Sequence, residues 1–129
     1  MTTDNKGRLK SLVSKFFDKI PSVRQHTEEL ELAQPELPSG PEPWPAWTRK
    51  KGVYYFLDEN NCVLYVGKGS TRWGVVYRIK NNLRKCGADA HVRVGLILFD
   101  EENWYWSASL EEFLIDALKP PHNKVGKNV

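Results

Sequence analysis

GVYYFLDENNCVLYVG, residues 52–67, consists of two apolar runs separated by four polar residues. The runs are rich in β-branched and aromatic residues and are typical of strands, and the Asp-Glu-Asn-Asn between them is typical of a hairpin turn. A turn centred between residues 59 and 60 pairs Tyr54 with Tyr65 across the two strands. The pattern therefore predicts two neighbouring tyrosines on one face of a sheet, and a one-residue change of register would separate them.

The chain after this hairpin predicts three more elements. Segment 71–85 has the apolar spacing of a helix, and 91–99 is a continuous apolar run typical of a strand. A last helix is predicted to begin at an Asp100 N-cap, with residues 101–102 in its first turn, and to stop before Pro120. The order is β-β-α-β-α, so we expect an α+β fold with a small antiparallel three-stranded sheet flanked by helices.

The chain before residue 51 has a different pattern. Residues 7–20 place apolar side chains on one stripe of a helix, and a second short helix is predicted to end at Leu32. Proline then recurs too often for helix or inner strand. We therefore expect an N-terminal helical extension over 1–34, a proline-rich linker or strap over 35–50, and the β-β-α-β-α domain over 51–129.

Composition excludes several classes of protein. Apolar residues make up 40% and charged residues 27% of the 129-residue chain, as in a soluble globular domain. No apolar run approaches the ~20 residues of a membrane span, and no apolar signal segment follows the first residues, so we expect a cytoplasmic protein. Cys62 and Cys86 cannot form a disulfide framework and are expected to be reduced.

Charge is unevenly distributed along the chain. Residues 1–48 carry a net charge of −1, residues 49–93 a net charge of +7, and residues 94–118 a net charge of −6. A basic stretch beside an acidic one is typical of a polyanion-binding surface next to a carboxylate site. Solvated faces of different sign are the alternative interpretation.

Several short motifs resemble the GIY-YIG nuclease superfamily, which is named after two tripeptides of its hairpin. The resemblance covers about residues 51–123 and includes an arginine, Arg78, on the basic helix. The other matching blocks occur in the family's order: GVY (52–54), YVGK (65–68), LEEFLI (110–115) and KPPHN (119–123).

The resemblance implies a DNA endonuclease that uses one divalent ion, Mg²⁺ or Mn²⁺. Tyr54 and Tyr65 would be the paired motif tyrosines, and one of them, or a water that it orients, would act as general base. Arg78 would bind the scissile phosphate, and Glu111 would bind the metal. Asn123 would bind the backbone or help to hold the site together. Tyrosine has a free pKa near 10, so the family chemistry requires nearby positive charge to lower it.

The sequence departs from the family pattern on the basic helix. The gap from Gly67 to Arg78 is longer than in common members, which makes Arg72 a rival for the phosphate. Asn82 stands where many members have His or Tyr, which places proton relay through that position in doubt. Four basic side chains are expected to contact the nucleic-acid backbone: Lys68, Arg72, Lys80 and Arg84.

Two classes of function follow. The first is an active metal-dependent endonuclease acting on DNA, with RNA as an alternative substrate. The second is a nucleic-acid-binding or protein-interaction module on the same fold, with catalysis weakened or lost. Glu111 also has a structural alternative, because Glu112 lies beside it and either could be a solvated helix residue.

Overall fold

A four-stranded antiparallel sheet with helices on both faces forms the fold in the computed structural model, which describes residues 4–41, 43–69, 75–89 and 91–123. The strand order is β1-β4-β2-β3. Two short 3₁₀ turns, Gln34–Glu36 and Ala46–Arg49, lie in the proline-rich segment. The helices and strands in chain order are α1 (Lys6–Asp18), α2 (Pro21–Arg24), β1 (Thr27–Ala33), β2 (Lys51–Leu57), β3 (Val63–Gly69), α3 (Val75–Lys85), β4 (Arg93–Phe99) and α4 (Trp106–Leu118).

The sheet has four strands, so the prediction of three was wrong. The additional strand is β1, in the segment predicted as the second short helix. All seven of its residues pair with β4, from Thr27 opposite Phe99 to Ala33 opposite Arg93. Glu and Leu are good helix formers, but this pairing satisfies the backbone groups along an otherwise open edge of β4. Helix α2 therefore ends at Arg24, before the strand begins.

The hairpin register differs by two residues from the predicted one. Tyr54 lies opposite Gly67, and Phe56 lies opposite Tyr65. One residue of the difference comes from the turn, where Asn61 has a φ of 63° as in a three-residue loop. The second comes from a bulge, since Leu57 pairs with residue 63 while Phe56 pairs with residue 65. A shift of two preserves the face, so both motif tyrosines still lie on the same side of the sheet.

The two faces of the sheet pack separate cores. On one face α1 and α4 cover alternate strand residues that include Tyr55, Ile97 and Phe99. On the other face α3 and the proline-rich segment cover Tyr54, Phe56 and their neighbours on β4. Helix α1 reaches its core directly, through three buried side chains at helical spacing: Leu9, Val13 and Phe17.

The proline-rich segment packs against the α3 face, and we use the name strap for residues 34–41 and 43–50. Leu37 is buried in the core on the α3 face, and Trp44 and Trp47 pack against that core. The indole of Trp44 donates a hydrogen bond to the Gly40 carbonyl at 3.2 Å, which helps to close the strap on itself.

The start of α4 was predicted wrongly. The helix begins at Trp106, and Asp100 lies in the turn that precedes it. The Asp100 carboxylate accepts hydrogen bonds from the backbone N–H of Asn103 at 2.9 Å and from its side-chain amide at 2.7 Å. Asp100 therefore stabilises a local turn. Its carboxylate accepts a backbone N–H there, as it would at the N-terminus of a helix.

Helix α3 ends at the residue that the sequence predicts for the helix over 71–85. The helix stops at Lys85, and Gly87 adopts a left-handed φ of 63°. The predicted start of this helix, at 71–74, lies outside the described residues. No helix within the described part of the chain has the length and apolar character needed to cross a membrane.

The contact of Tyr55 with Gly95 predicts a sensitive position in the sheet. A Cβ at residue 95 would overlap the Tyr55 ring, which is fully buried. We expect Gly95→Ala to lower the free energy of unfolding by about 1–3 kcal/mol, measured by urea denaturation. Gly7→Ala is the matched control, because no atom lies within 4 Å of a Cβ built there. Equal midpoints for the two variants would contradict this packing.

Candidate active site

Two tyrosines form the centre of the candidate site. The ring centroids of Tyr54 and Tyr65 lie 6.1 Å apart on the α3 face of the sheet. Phe56 completes an aromatic cluster, with its centroid 5.4 Å from that of Tyr65. Tyr54 is only 1% exposed, whereas Tyr65 is half-buried. Tyr65 is therefore the tyrosine that a substrate can reach more easily.

Gly67 is required by the close approach of the two rings. A Cβ at this position would lie 2.6 Å from the Tyr54 hydroxyl and 2.8 Å from Cε2 of Tyr65. Both distances are shorter than carbon contacts in proteins allow, so any side chain would displace a ring. The glycine of the second tripeptide thus has a packing function inside the site.

Helix α3 supplies two polar groups at the tyrosines. The side-chain amide of Asn82 donates a hydrogen bond to the Tyr54 hydroxyl. The positive charge of Arg78 acts on both tyrosines. Among the described residues, no hydrogen bond or ion pair of the Arg78 guanidinium is found, which leaves its donors available for a ligand. Arg78 is thus a cation whose charge acts on the tyrosine pair.

Asn82 is the site residue that sequence reasoning undervalued. In the family pattern its position, one turn after Arg78, is only that of a missing His or Tyr. The structure shows that an amide at this position holds the buried Tyr54 hydroxyl. The position one helical turn from the arginine was the available signal, because residues i and i+4 share a helix face.

Glu111 approaches the tyrosines from α4. Its negative charge raises the pKa of Tyr65, because it makes ionisation of that hydroxyl less favourable. No group of three or more His, Cys, Asp or Glu side chains occurs among the residues that the structure describes. One carboxylate beside tyrosine hydroxyls is an oxygen donor set, which suits Mg²⁺ or Mn²⁺ ions that retain several waters. The neighbouring Glu112 is exposed.

Asn123 pairs with the backbone of β3. Its side-chain oxygen accepts from the Val66 N–H at 2.9 Å, and its amide donates to the Val66 carbonyl at 2.8 Å. The backbone N–H of His122 also donates to the Leu64 carbonyl at 3.1 Å. Asn123 is 7% exposed. It holds the segment after α4 against the strand that carries Tyr65.

The surroundings raise the pKa values of both tyrosines. Burial is the main cause for each of them. Electrostatic repulsion from Tyr65 adds to the rise in the pKa of Tyr54, and repulsion from the Glu111 carboxylate adds to the rise in the pKa of Tyr65. Arg78 acts in the opposite direction without reversing the shift. The described side chains alone therefore keep both hydroxyls protonated at neutral pH, contrary to the lowering that the family chemistry implies.

The thiol of Cys86 also lies near Tyr65. Burial raises its pKa, so the thiol stays neutral and unreactive at neutral pH. Both Cys62 and Cys86 are free of disulfides.

Of the four residues predicted to contact nucleic acid, the three that lie in the described part of the chain do not all lie together. Lys68 pairs across the strands with Val53, whose side chain belongs to the core under α1 and α4. Lys80 is bound to the strap, where its ammonium group donates to the Pro38 carbonyl. Arg84 follows Lys80 by one turn on the same side of α3. Arg72 lies outside the described residues.

Comparison of the chain with protein-family models, with curated proteins and with solved structures gives no match.

The raised tyrosine pKa values predict a loss of stability in alkali. Unfolded tyrosine ionises near pH 10, while folded Tyr54 still holds its proton above that pH. The unfolded state then binds fewer protons, so the free energy of unfolding falls as pH rises above about 10. We expect Tyr54→Phe to make this fall shallower, measured by urea denaturation at successive pH values.

Phe56→Leu is the control, since it loosens the same aromatic cluster without removing a titrating group. It should lower stability at every pH but keep the wild-type slope. An unchanged slope in Tyr54→Phe would show that burial does not hold its proton.

Proposed function

We propose that the chain is a metal-dependent endonuclease of the GIY-YIG type that hydrolyses phosphodiester bonds in DNA, with one Mg²⁺ or Mn²⁺ ion. The observation that carries the proposal is the electrostatic effect of two residues, distant in sequence, on one tyrosine. Arg78 on α3 and Glu111 on α4 both act electrostatically on Tyr65 on β3. These are the residues that the motif resemblance assigns to phosphate, metal and tyrosine chemistry.

The order of elements also supports the proposal. From residue 51 onward the chain follows β2, β3, α3, β4 and α4, which is the β-β-α-β-α order of the resemblance. Strand β1 is an addition at the far edge of the sheet, separated from β2 by β4. The candidate site lies at the opposite edge, on β2 and β3, so the extra strand leaves it open.

Tyr65, rather than Tyr54, is the tyrosine that we place next to the reacting phosphate. The Tyr54 hydroxyl is buried and accepts a hydrogen bond from Asn82, so it serves to position its neighbour. Because the pKa of Tyr65 is raised, its hydroxyl remains protonated and acts by hydrogen bonding to an attacking water. A neutral hydroxyl both donates and accepts, so it can orient a water without becoming a tyrosinate.

Arg78 and Glu111 complete the proposed chemistry. The Arg78 guanidinium would bind phosphate oxygens through two parallel N–H groups and stabilise charge that grows on them. Glu111 would hold the divalent ion on the α4 side of Tyr65. When bound, such an ion supplies a Lewis acid and lowers the pKa of its coordinated water. Asn123 would keep β3 and the chain end together beneath these groups.

One observation favours the second function, a nucleic-acid-binding module with weak or no catalysis. Burial raises the pKa values of both motif tyrosines, so neither supplies a tyrosinate base at neutral pH, and catalysis without such a base would be weaker. A site that had lost its ion would retain the basic helix and the fold but not the chemistry. Cleavage and binding must therefore be measured separately.

Replacement of Glu111 tests the proposed metal ligand. We expect Glu111→Gln to reduce cleavage of supercoiled plasmid in Mg²⁺ or Mn²⁺ by about 100-fold or more, because the ion loses its protein carboxylate. Glu112→Gln, one residue along α4 and exposed, should cleave like the parent protein. Equal loss in both variants, or none in either, would reject the site. Salt-sensitive DNA binding without cleavage by the parent would favour the binding module.

Replacement of Arg78 tests the proposed phosphate ligand. We expect Arg78→Gln to reduce cleavage by about 100-fold while changing DNA affinity much less, because its interaction strengthens as charge grows on the phosphate. Lys85→Gln is the control on the same helix. Arg72→Gln is measured in parallel, and a larger loss there than in Arg78→Gln would transfer the role to Arg72.

A further inference from the structure

A groove of about 400 Å³ lies between the strap and α3. One wall comes from the strap, with Pro35 and Leu37, and the other from α3 and the turn after it, with Leu83 and Ala88. Small-molecule sites in proteins commonly have volumes of about 300–1,000 Å³ and mostly apolar walls. The groove is therefore large enough for one flat ring with a small substituent.

The strap wall is held in place by contacts at several points. Leu37 is 8% exposed and belongs to the core under α3. The side-chain amide of Gln34 donates to the Val92 carbonyl at 3.2 Å and also to the Asp89 carbonyl. The groove therefore exists before any ligand arrives, and binding need not order the strap.

Two cations stand at the rim of the groove. Lys80 and Arg84 are one turn apart on α3 and both line it. Lys80 is fixed, because its ammonium group donates to the Pro38 carbonyl and lies 5.3 Å from the centroid of the Trp44 ring. No hydrogen bond or ion pair of the Arg84 guanidinium is found within the described part of the chain. None of the described residues lining the groove is Asp or Glu.

The groove is separate from the candidate active site. Arg78 and Asn82 lie on the side of α3 that faces the tyrosines, whereas Lys80 and Arg84 lie on the side that faces the strap. An α-helix with its side chains is about 10–12 Å across. A nucleic-acid strand bound at the tyrosines could thus reach the groove by crossing the exposed face of α3. That helix carries four basic residues and no acidic ones.

We propose that this groove binds one unstacked nucleotide, with its base between Leu37 and Leu83 and its phosphate on Arg84 and Lys80. A slot that has apolar side chains on both walls, polar groups beside them and two cations at its rim is complementary to a ring that carries an anion. A free mononucleotide and an unpaired nucleotide within a strand share this chemistry. The assignment to a substrate strand rests on the proposed function, and it makes single-stranded flaps or distorted DNA the preferred substrate.

Binding of a mononucleotide is tested without divalent ions, and so independently of cleavage. Deoxyadenosine monophosphate, deoxyadenosine and inorganic phosphate are each titrated into ¹⁵N-labelled protein. We expect the mononucleotide to shift the backbone amide signals of Ser39, Leu83 and Ala88, and to bind about tenfold more tightly than phosphate. Arg84→Gln should weaken this binding about tenfold, while Lys85→Gln should leave it unchanged. Equal binding of phosphate and mononucleotide, or no shift at these residues, would overturn the proposal.

The source of the nucleotide is tested with the Glu111→Gln protein, which retains the groove. We expect it to bind DNA with a single-stranded flap more tightly than fully paired duplex, and Arg84→Gln to remove that difference. Mononucleotide binding without flap preference would restrict the groove to free nucleotides and overturn the strand assignment. Cleavage by a parent protein that binds no mononucleotide would overturn the groove and leave the nuclease proposal standing.

Discussion

The cross-strand pair of Tyr54 and Gly67 is the constraint on which the candidate site depends. Because residue 67 has no side chain, the Tyr54 ring can lie beside the Tyr65 ring, and the two form one surface with Phe56. The pairing of β2 with β3 sets this contact, and the bulge near Leu57 sets its register. The other residues of the site lie around this surface. Helix α3 supplies Asn82 and Arg78, and α4 with the segment after it supplies Glu111 and Asn123. A one-residue change in the hairpin register would therefore move the two tyrosines to opposite faces of the sheet, although each helix could still form.

Burial makes the site rigid, and it also restricts its chemistry. A hydroxyl removed from water resists ionisation, so the packing that fixes Tyr54 also raises its pKa. The Glu111 carboxylate adds to this resistance at Tyr65. A protein that needed a tyrosinate would have to supply more positive charge than Arg78 provides. The described surroundings of the two tyrosines therefore favour neutral hydroxyls that donate and accept hydrogen bonds.

Helix α3 has different functions on its two sides. One side presents Asn82 and Arg78 to the tyrosines, and the other presents Lys80 and Arg84 to the strap. Its buried stripe faces the sheet between them. The strap thus does more than cover apolar surface, since it forms the second wall of a cationic groove. The distribution of charge along the sequence indicates only that the helix is basic. It does not show which contacts each basic residue makes, because adjacent residues point to different sides of a helix.

The sequence by itself determined the elements whose signals are local. Period-two and continuous apolar runs predicted β2, β3 and β4, helical spacing predicted α1, most of α3 and the stripe of α4, and Gly87 marked a helix end. The shared face of the two tyrosines was also predictable, because a register change of two residues leaves both on the same side of the sheet.

Tertiary structure decided the rest. Strand β1 forms because β4, which lies sixty or more residues further along the chain, offers it a partner, and this pairing outweighs the helix propensity of its residues. The Asp100 carboxylate could have capped the last helix, but it accepts hydrogen bonds within the preceding turn. The local sequence does not distinguish these two uses. The bond from Asn82 to Tyr54 and the groove beside Arg84 join elements distant in sequence, and only the packed chain brings such groups together.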